Sequence, residues 1–529
     1  MTRLPRWVLL PVAVAVSALL LLPYARAQSP WHWAGFVAFV PALWASERLK
    51  SWWGGALLGI ALSAASALAV EPWLAGAVHA YTQAPRWACA ALLVLLAPVL
   101  QPQLAVWAWA RVLVRRRRPE LAPFAAACAY VGVEWAIPKL FGDTLGYGLY
   151  PAPWLRQSAD LVGVRGLTLL ILLANEAVAA IAAAALTRTA VARRSAIRWG
   201  AAAAASFAAL SGYGAWRFGQ FDPARGGGAV RLAAVQANLT HYAELAQELG
   251  TYGAVRTILD THYTLSNRAL AAGPVDALVW PETVYPTTFG SPQSEEGAEL
   301  DAEIARFSEE HHVPLVFGAY DRDADAEYNA AFFLDRPGAA AHAYRKAMLF
   351  PLTEWVPEAI DGPRFREAFP WAGTWRPGPG PRTLELALPD GRRVRVGPLI
   401  CYDAVFPGFA AAEVREGARL LLTLSNDSWF HGTPAARLHL IVSAFRSIET
   451  RTAQLRATNS GISAAIDARG EPIAVTREDA AEVLTAALPL VDRSATLPVR
   501  FGDWVGAAAF FAAIALIGSS RLPRGRARR

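Results

Sequence analysis

Two hydrophobic patterns divide this chain. Up to about residue 216, apolar residues follow one another in long stretches with few charges. From 217 to 502 they come in short runs broken by charged and turn-forming residues, and one long stretch returns after 502. Crossing ~30 Å of hydrocarbon takes roughly 20 consecutive apolar residues in a helix. The pattern therefore predicts spans at 7–24, 31–47, 52–70, 86–110, 120–138, 159–187 and 199–216, with an eighth at 503–520. For the first span a cleaved signal peptide is the alternative, since Tyr24-Ala-Arg-Ala27 ends in an Ala-x-Ala pattern. Its length, and the spans that follow at once, favour a retained helix.

The short runs at 230–236, 276–280, 314–319, 330–334, 394–400, 419–424 and 462–466 have the apolar and β-branched density of strands. Residues 434–454 read as an amphipathic helix, with Pro434 at its start and Leu440, Ala444, Ile448 and Leu455 recurring at helical spacing. Strands interleaved with helices imply a layered α/β domain. The division is thus a multi-pass α-helical membrane domain at 1–216, an α/β domain at 217–502, a closing helix at 503–520 and a basic cytoplasmic tail at 521–529. Gly226-Gly-Gly228 reads as the hinge between the seventh span and the first strand.

Composition agrees: 54% of residues are hydrophobic and only 18% charged. The net charge of +7 changes the picture through its placement. Arg3 and Arg6, Arg48 and Lys50, Arg111 with Arg115 to Arg118, Arg188 to Arg198, and the arginines after 520 occupy every second connection. Basic connections stay in the cytoplasm, so an odd number of spans before 217 puts the α/β domain outside it. The arginines report topology and contact with anionic membrane lipids, and no basic motif with interleaved aromatics points to nucleic acid.

Candidate chemistry lies at the ends of three apolar runs. Ala277-Leu-Val-Trp-Pro-Glu282 ends in a carboxylate, Ala343-Tyr-Arg-Lys346 in an amine, and Gly397-Pro-Leu-Ile-Cys401 in a thiol. These are the parts of a nucleophilic acyl-transfer site: Glu282 takes the thiol proton, and Lys346 stabilises thiolate and oxyanion. Cys89 and Cys128 fall inside predicted spans, so Cys401 has no disulfide partner in the α/β domain. No Cys/His cluster has metal-ligand spacing, and His311-His312 reads as a loop pair.

The segments around these residues carry a resemblance. Trp-Pro-Glu282, Arg-Lys346 followed by Thr353-Glu-Trp-Val-Pro357, Ile-Cys401-Tyr-Asp403 and Ser425-Asn-Asp-Ser-Trp-Phe430 stand in the order of the nitrilase (carbon–nitrogen hydrolase) superfamily over roughly 230–492. Within the membrane frame, and with Arg446-Ser-Ile-Glu-Thr-Arg451 and Arg456-Ala-Thr-Asn-Ser-Gly-Ile-Ser463, the chain resembles the bacterial apolipoprotein N-acyltransferases. It departs in having Asp403 where many members have glutamate, Pro351-Leu-Thr-Glu354 in place of a Pro-Phe-Gly-Glu run, and Ala136-Ile-Pro138 after Glu134-Trp135.

The resemblance implies an αββα sandwich with the triad at one end. It implies transfer of an acyl chain from a phospholipid donor, through a thioester on Cys401, to the N-terminal amine of a diacylglyceryl apolipoprotein. No cofactor or metal is expected, and a monomer in the bacterial inner membrane, with its catalytic domain periplasmic, is. Lys346 and the Tyr402 N–H hold the oxyanion; Glu354 and Asp403 support the site. The aromatic segment with Trp355, Phe365, Trp371 and Trp375 reads as a substrate lid at the membrane interface. A membrane-tethered amidase or nitrilase-type hydrolase would carry the same triad. A non-enzymatic scaffold or a transporter is the remaining alternative; a transporter would need charges lining several spans, for which Glu134, Arg165 and Glu176 are the candidates.

Overall fold

The computed structural model describes residues 5–82, 84–137, 139–222, 228–240, 242–335, 341–491 and 495–520. The chain divides into two compact units, Gly219–Gly502 and the remainder. The glycines of the expected hinge at 226 and 227, and the basic tail, lie outside the described residues.

The first unit is helical. Among the described residues three helices are long and apolar enough to cross a membrane: Trp7–Ala25, Trp52–Val70 and Ala159–Thr187. The pair Arg86–Leu100 and Pro102–Arg115, bent by 54° at Gln101, makes a fourth if it counts as one span. The seven uninterrupted spans expected before residue 217 are therefore not all present. Residues 31–47 are a 3-10 turn, Trp31–Phe36, and a short helix, Val40–Ser46, because Pro30 and Pro41 offer no N–H to a continuous helix. Asn175 reconciles this break with an apolar setting. Its side chain accepts from Phe39 N at 2.8 Å and donates to Gly35 O at 2.7 Å. Irregular backbone at such depth is tolerated only where protein satisfies it. The fifth and eighth expected spans are the shorter helices Ala122–Ala136 and Trp504–Ser519.

The charges weighed for a transporter are tied to partners inside this unit. Glu176 takes a two-pronged bond from the buried Arg111, at 2.6 and 2.9 Å. Glu134 accepts from Lys139 and Thr144, and Arg165 pairs with Asp503.

The second unit is built from two sheets. Strands β1 (Ala229–Gln236), β2 (Ala277–Val279), β3 (Tyr285–Thr288), β4 (Leu315–Arg322), β5 (Glu327–Leu334) and β6 (His342–Arg345) belong to the first. The second holds β7 (Leu384–Ala387), β8 (Arg393–Ile400), β9 (Leu420–Ser425), β10 (Ala453–Thr458), β11 (Ala464–Ile466) and β12 (Pro472–Val475). The last strand, β13 (Glu482–Pro489), returns to the first sheet, whose order is β13-β1-β2-β4-β5-β6 with β3 beside β4. The central pairs β1/β2, β2/β4, β8/β9 and β9/β10 are parallel, as is β3/β4, and the remaining pairs are antiparallel.

Why these strands read as unbroken apolar runs follows from burial on both faces. Along β1, Val230, Leu232 and Ala234 join a core shared with the second sheet, where Val396, Leu420, Leu422 and Leu424 lie. The alternate residues Ala233 and Val235 face a core with Leu259 and Leu265 of the helix Tyr242–Ala272 and Ile304 of the helix Glu295–Glu310. The helices Pro407–Glu416 and Ala435–Thr450 belong to the second sheet's side, completing the αββα order. The amphipathic helix expected at 434–454 stops at Thr450. Arg451 turns left-handed (φ 54°), and Leu455, counted on the helical stripe, lies in β10.

Candidate active site

Glu282 follows the end of β2. Pro281 cannot extend the ladder, and the backbone turns at Thr283 with φ 56°. Gly318 on β4 permits this turn, since a Cβ there would sit 2.4 Å from Thr283 N. The Glu282 carboxylate is 6% exposed and held from three sides. One oxygen accepts from Lys346 Nζ at 2.9 Å and Asn329 Nδ2 at 2.7 Å, and the other from Asn426 N at 2.9 Å.

Lys346 follows β6, and its ammonium is buried between two carboxylates, Glu282 and Glu354 (2.7 Å). Burial works against the charge, but those carboxylates outweigh it and hold the lysine well above its ordinary pKa. Burial raises the pKa of Glu354, against the opposing pull of Lys346. Glu354 also accepts from Phe350 N at 2.7 Å.

Cys401 opens a 3-10 turn, Cys401–Val405, directly after β8, in the left-handed region at φ 47°. A left-handed non-glycine residue costs roughly 1–2 kcal/mol, so its surroundings must impose it. Burial pushes the thiol up, the Glu282 carboxylate adds to this, and Lys346 opposes it. The resting form is therefore the thiol, and a neighbouring base has to act during attack. Asp403 braces the turn, accepting from Ile400 N at 3.0 Å, Met348 N at 2.8 Å and Tyr344 OH at 2.9 Å. Tyr402 is buried, its ring edge-on to Phe350 and Phe406.

Glu282, Lys346, Glu354 and Cys401 are thus brought together from strand ends of both sheets and the start of the aromatic segment. The four aromatic residues expected to act as one lid divide into two groups. Phe365 and Trp371 flank Phe369 in a row of rings, with Phe369 and Trp371 exposed. Trp375 instead packs on Tyr320, and Trp355 Nε1 donates to Leu349 O. The segment is stitched to the site through Glu354, whose carbonyl accepts from Trp375 N at 3.0 Å.

Sequence reasoning did not single out Asn329 or His439. Asn329 stands directly before the apolar run of β5, and a buried amide at that edge is the signal. Asp427, inside a recognised segment, has a definite place: fully buried, it accepts from Ser425 and Arg456, and Arg456 and His439 hold its carboxyl well below the usual range despite burial. Among the described residues no group of three or more His, Cys, Asp or Glu side chains could hold a metal.

The carbon-nitrogen hydrolase family model matches residues 231–496, and the model of the apolipoprotein N-acyltransferase N-terminal domain matches residues 16–177. An apolipoprotein N-acyltransferase of Bdellovibrio bacteriovorus is 30% identical over 474 residues, covering 83% of this chain and 81% of that protein. One from Geobacter metallireducens is 29% identical, covering 87% and 85%. A third, from Gloeobacter violaceus, is 29% identical over 97% of this chain and 95% of its own length.

Proposed function

The chain belongs to the apolipoprotein N-acyltransferase family, and from this we propose a two-step transfer on Cys401 with a phospholipid as acyl donor. It is an acyltransferase of lipoprotein maturation with a nitrilase-like catalytic domain. In the first step Glu282 removes the thiol proton as sulfur attacks the donor's ester carbonyl. Lys346 and the Tyr402 N–H receive the oxyanion. Collapse breaks the ester C–O bond, Glu282 returns the proton to the leaving alkoxide, and a lysophospholipid departs from the thioester. In the second step the N-terminal amine of a diacylglyceryl apolipoprotein attacks the thioester and gives its proton to Glu282. Collapse leaves an amide, and the thiolate recovers the proton.

The observation that carries this reading is Lys346 buried between two carboxylates beside the thiol. Moving the thiol proton onto Glu282 as the oxyanion forms leaves the net charge of the cluster unchanged. Asn329 and Asn426 aim the base. Glu354 holds Lys346 and ties it to the aromatic segment, where exposed Phe369 and Trp371 suit the headgroup level of a bilayer.

For orientation, the helix Ala190–Gln220 carries Arg193, Arg194 and Arg198 near its start and leads into the catalytic unit at its end. At ~1.5 Å per residue it is about 46 Å long, although it is not one of the three helices that are also apolar enough to cross. Basic flanks stay cytoplasmic, and the arginines at its start support a catalytic unit on the periplasmic side of the inner membrane.

The test is single-turnover labelling. Purified protein given acyl-labelled phospholipid alone should accumulate a hydroxylamine-sensitive label on Cys401, with little free fatty acid. A diacylglyceryl peptide should then discharge it as an amide, and an N-acetylated peptide should not. Rapid release of fatty acid without an amine would instead mark a tethered hydrolase.

A further inference from the structure

Behind the nucleophile lies a buried group that the two-step transfer does not use. His439, on the helix Ala435–Thr450, is 8% exposed. Its Nε2 lies 3.3 Å from the main-chain carbonyl oxygen of Cys401. Its Nδ1 lies 3.0 Å from Asp427 Oδ1 and 3.1 Å from Arg456 Nη2. Asp427 is anchored in turn by Arg456 at 2.5 Å and Ser425 at 2.7 Å, and Arg456 also reaches Ser443. The ring is therefore held at Nδ1 by fully buried side chains and at Nε2 by a main-chain carbonyl.

The proton on Nε2 follows from its partner. A carbonyl oxygen only accepts, so the contact is a hydrogen bond only if Nε2 carries hydrogen. Nδ1 is compatible with this as a donor to Asp427 or as an acceptor from Arg456.

One helix turn pair further on, Arg446 Nη1 donates to Val405 O at 3.3 Å. His439 and Arg446 are seven residues apart, which places them on one helix face. A single face thus grips the first and last carbonyls of the Cys401–Val405 turn.

We infer that His439 is a positioning residue for the oxyanion: by donating to the Cys401 carbonyl, it orients and polarises the peptide unit whose other end is the Tyr402 N–H. The peptide bond is planar and trans, so fixing its C=O fixes the direction of its N–H. A hydrogen bond on the carbonyl also withdraws electrons from the nitrogen and strengthens the N–H as donor. The same bond helps hold Cys401 left-handed. This rests on the proposed role of the Tyr402 N–H in acyl transfer.

The experiment compares two reactions of Cys401 in the full-length protein in micelles. Single-turnover thioester formation from acyl-labelled phosphatidylethanolamine passes through an oxyanion; alkylation by iodoacetamide does not. His439→Met, without a donor, should lower the maximal acylation rate by about 10- to 100-fold, short of the 10²–10³-fold that deleting an oxyanion donor costs. The half-saturating donor concentration and the alkylation rate should stay within about two-fold of wild type. His439→Gln, which restores an N–H, should regain most of the acylation rate. If the methionine variant does not fold, His439→Asn, too short to reach the carbonyl, replaces it. Acylation unchanged by loss of the donor, equal loss in alkylation, or a glutamine variant no better than methionine would overturn the inference. Wild-type protein that forms no thioester would sink the transfer reaction itself, before any variant is compared.

Discussion

Asp403 shows what the nucleophile turn costs. It is fully buried, and burial outweighs its three donors, pushing the carboxyl up to about 6 from an ordinary 3.8. The folded state therefore holds this proton more tightly than the unfolded chain does. The ionised form carries a penalty that is complete above pH 6, about 3 kcal/mol at most, and is relieved as pH falls through 6 toward 3.8. Wild type should accordingly gain stability relative to Asp403→Asn as pH drops from 7.5 to 5. The midpoint of heat-induced exposure of Cys401 to a thiol probe measures this; a pH-independent difference between the two proteins contradicts it. At this scale the sequence pointed to Glu282, Lys346 and Cys401 because each ends an apolar run, and in the structure each stands just beyond a strand. It was silent at His439, because one polar residue among several on an amphipathic helix looks the same whether it holds a carbonyl or merely finds a partner.

The aromatic segment works on its neighbours through backbone bonds. Pro351 to Trp355 makes a tight turn with Leu352 left-handed at φ 70°, and Gly373 N donates to Leu352 O at 3.0 Å. A Cβ on Gly373 would lie 2.2 Å from the Glu354 carbonyl carbon, too close for any side chain. Gly373→Ala should push the segment off Glu354 and loosen the carboxylate on Lys346. We expect thioester formation to fall at least ten-fold, with the thermal midpoint lowered by only a few degrees. A variant with unaltered acylation would show that the segment and Glu354 are not mechanically joined. Sequence periodicity located this segment by composition but could not separate Trp375, packed on Tyr320, from the exposed row. The same limit explains the broken span at 31–47: hydropathy sums across Pro30 and Pro41, while backbone hydrogen bonding does not. It also explains the missed end of the helix at Thr450, where the helical spacing of Ile448 and Leu455 continues by coincidence into β10.

For the molecule as a whole, orientation rests on its arginines. Single-cysteine reporters test it: one at Glu358, whose side chain is 90% exposed, should react with an impermeant thiol reagent in intact cells, and one at Arg116 only after permeabilisation. The reverse pattern would remove the periplasmic assignment. The α/β character and its place in the chain were legible from the shift between long and short apolar runs. Sheet membership was not, because β13 joins the first sheet only after all six strands of the second. That late return bears on how the unit is joined to the chain around it. Antiparallel pairing sets Ala229 opposite Pro489, and Leu490 N donates to Gly228 O at 2.9 Å, so the first and last strands of the unit lie side by side. A folded module with adjoining ends can be spliced into a loop of another protein without stretching either. A unit whose first and last strands pair in this way can be joined to a helix on each side while its two sheets stay intact.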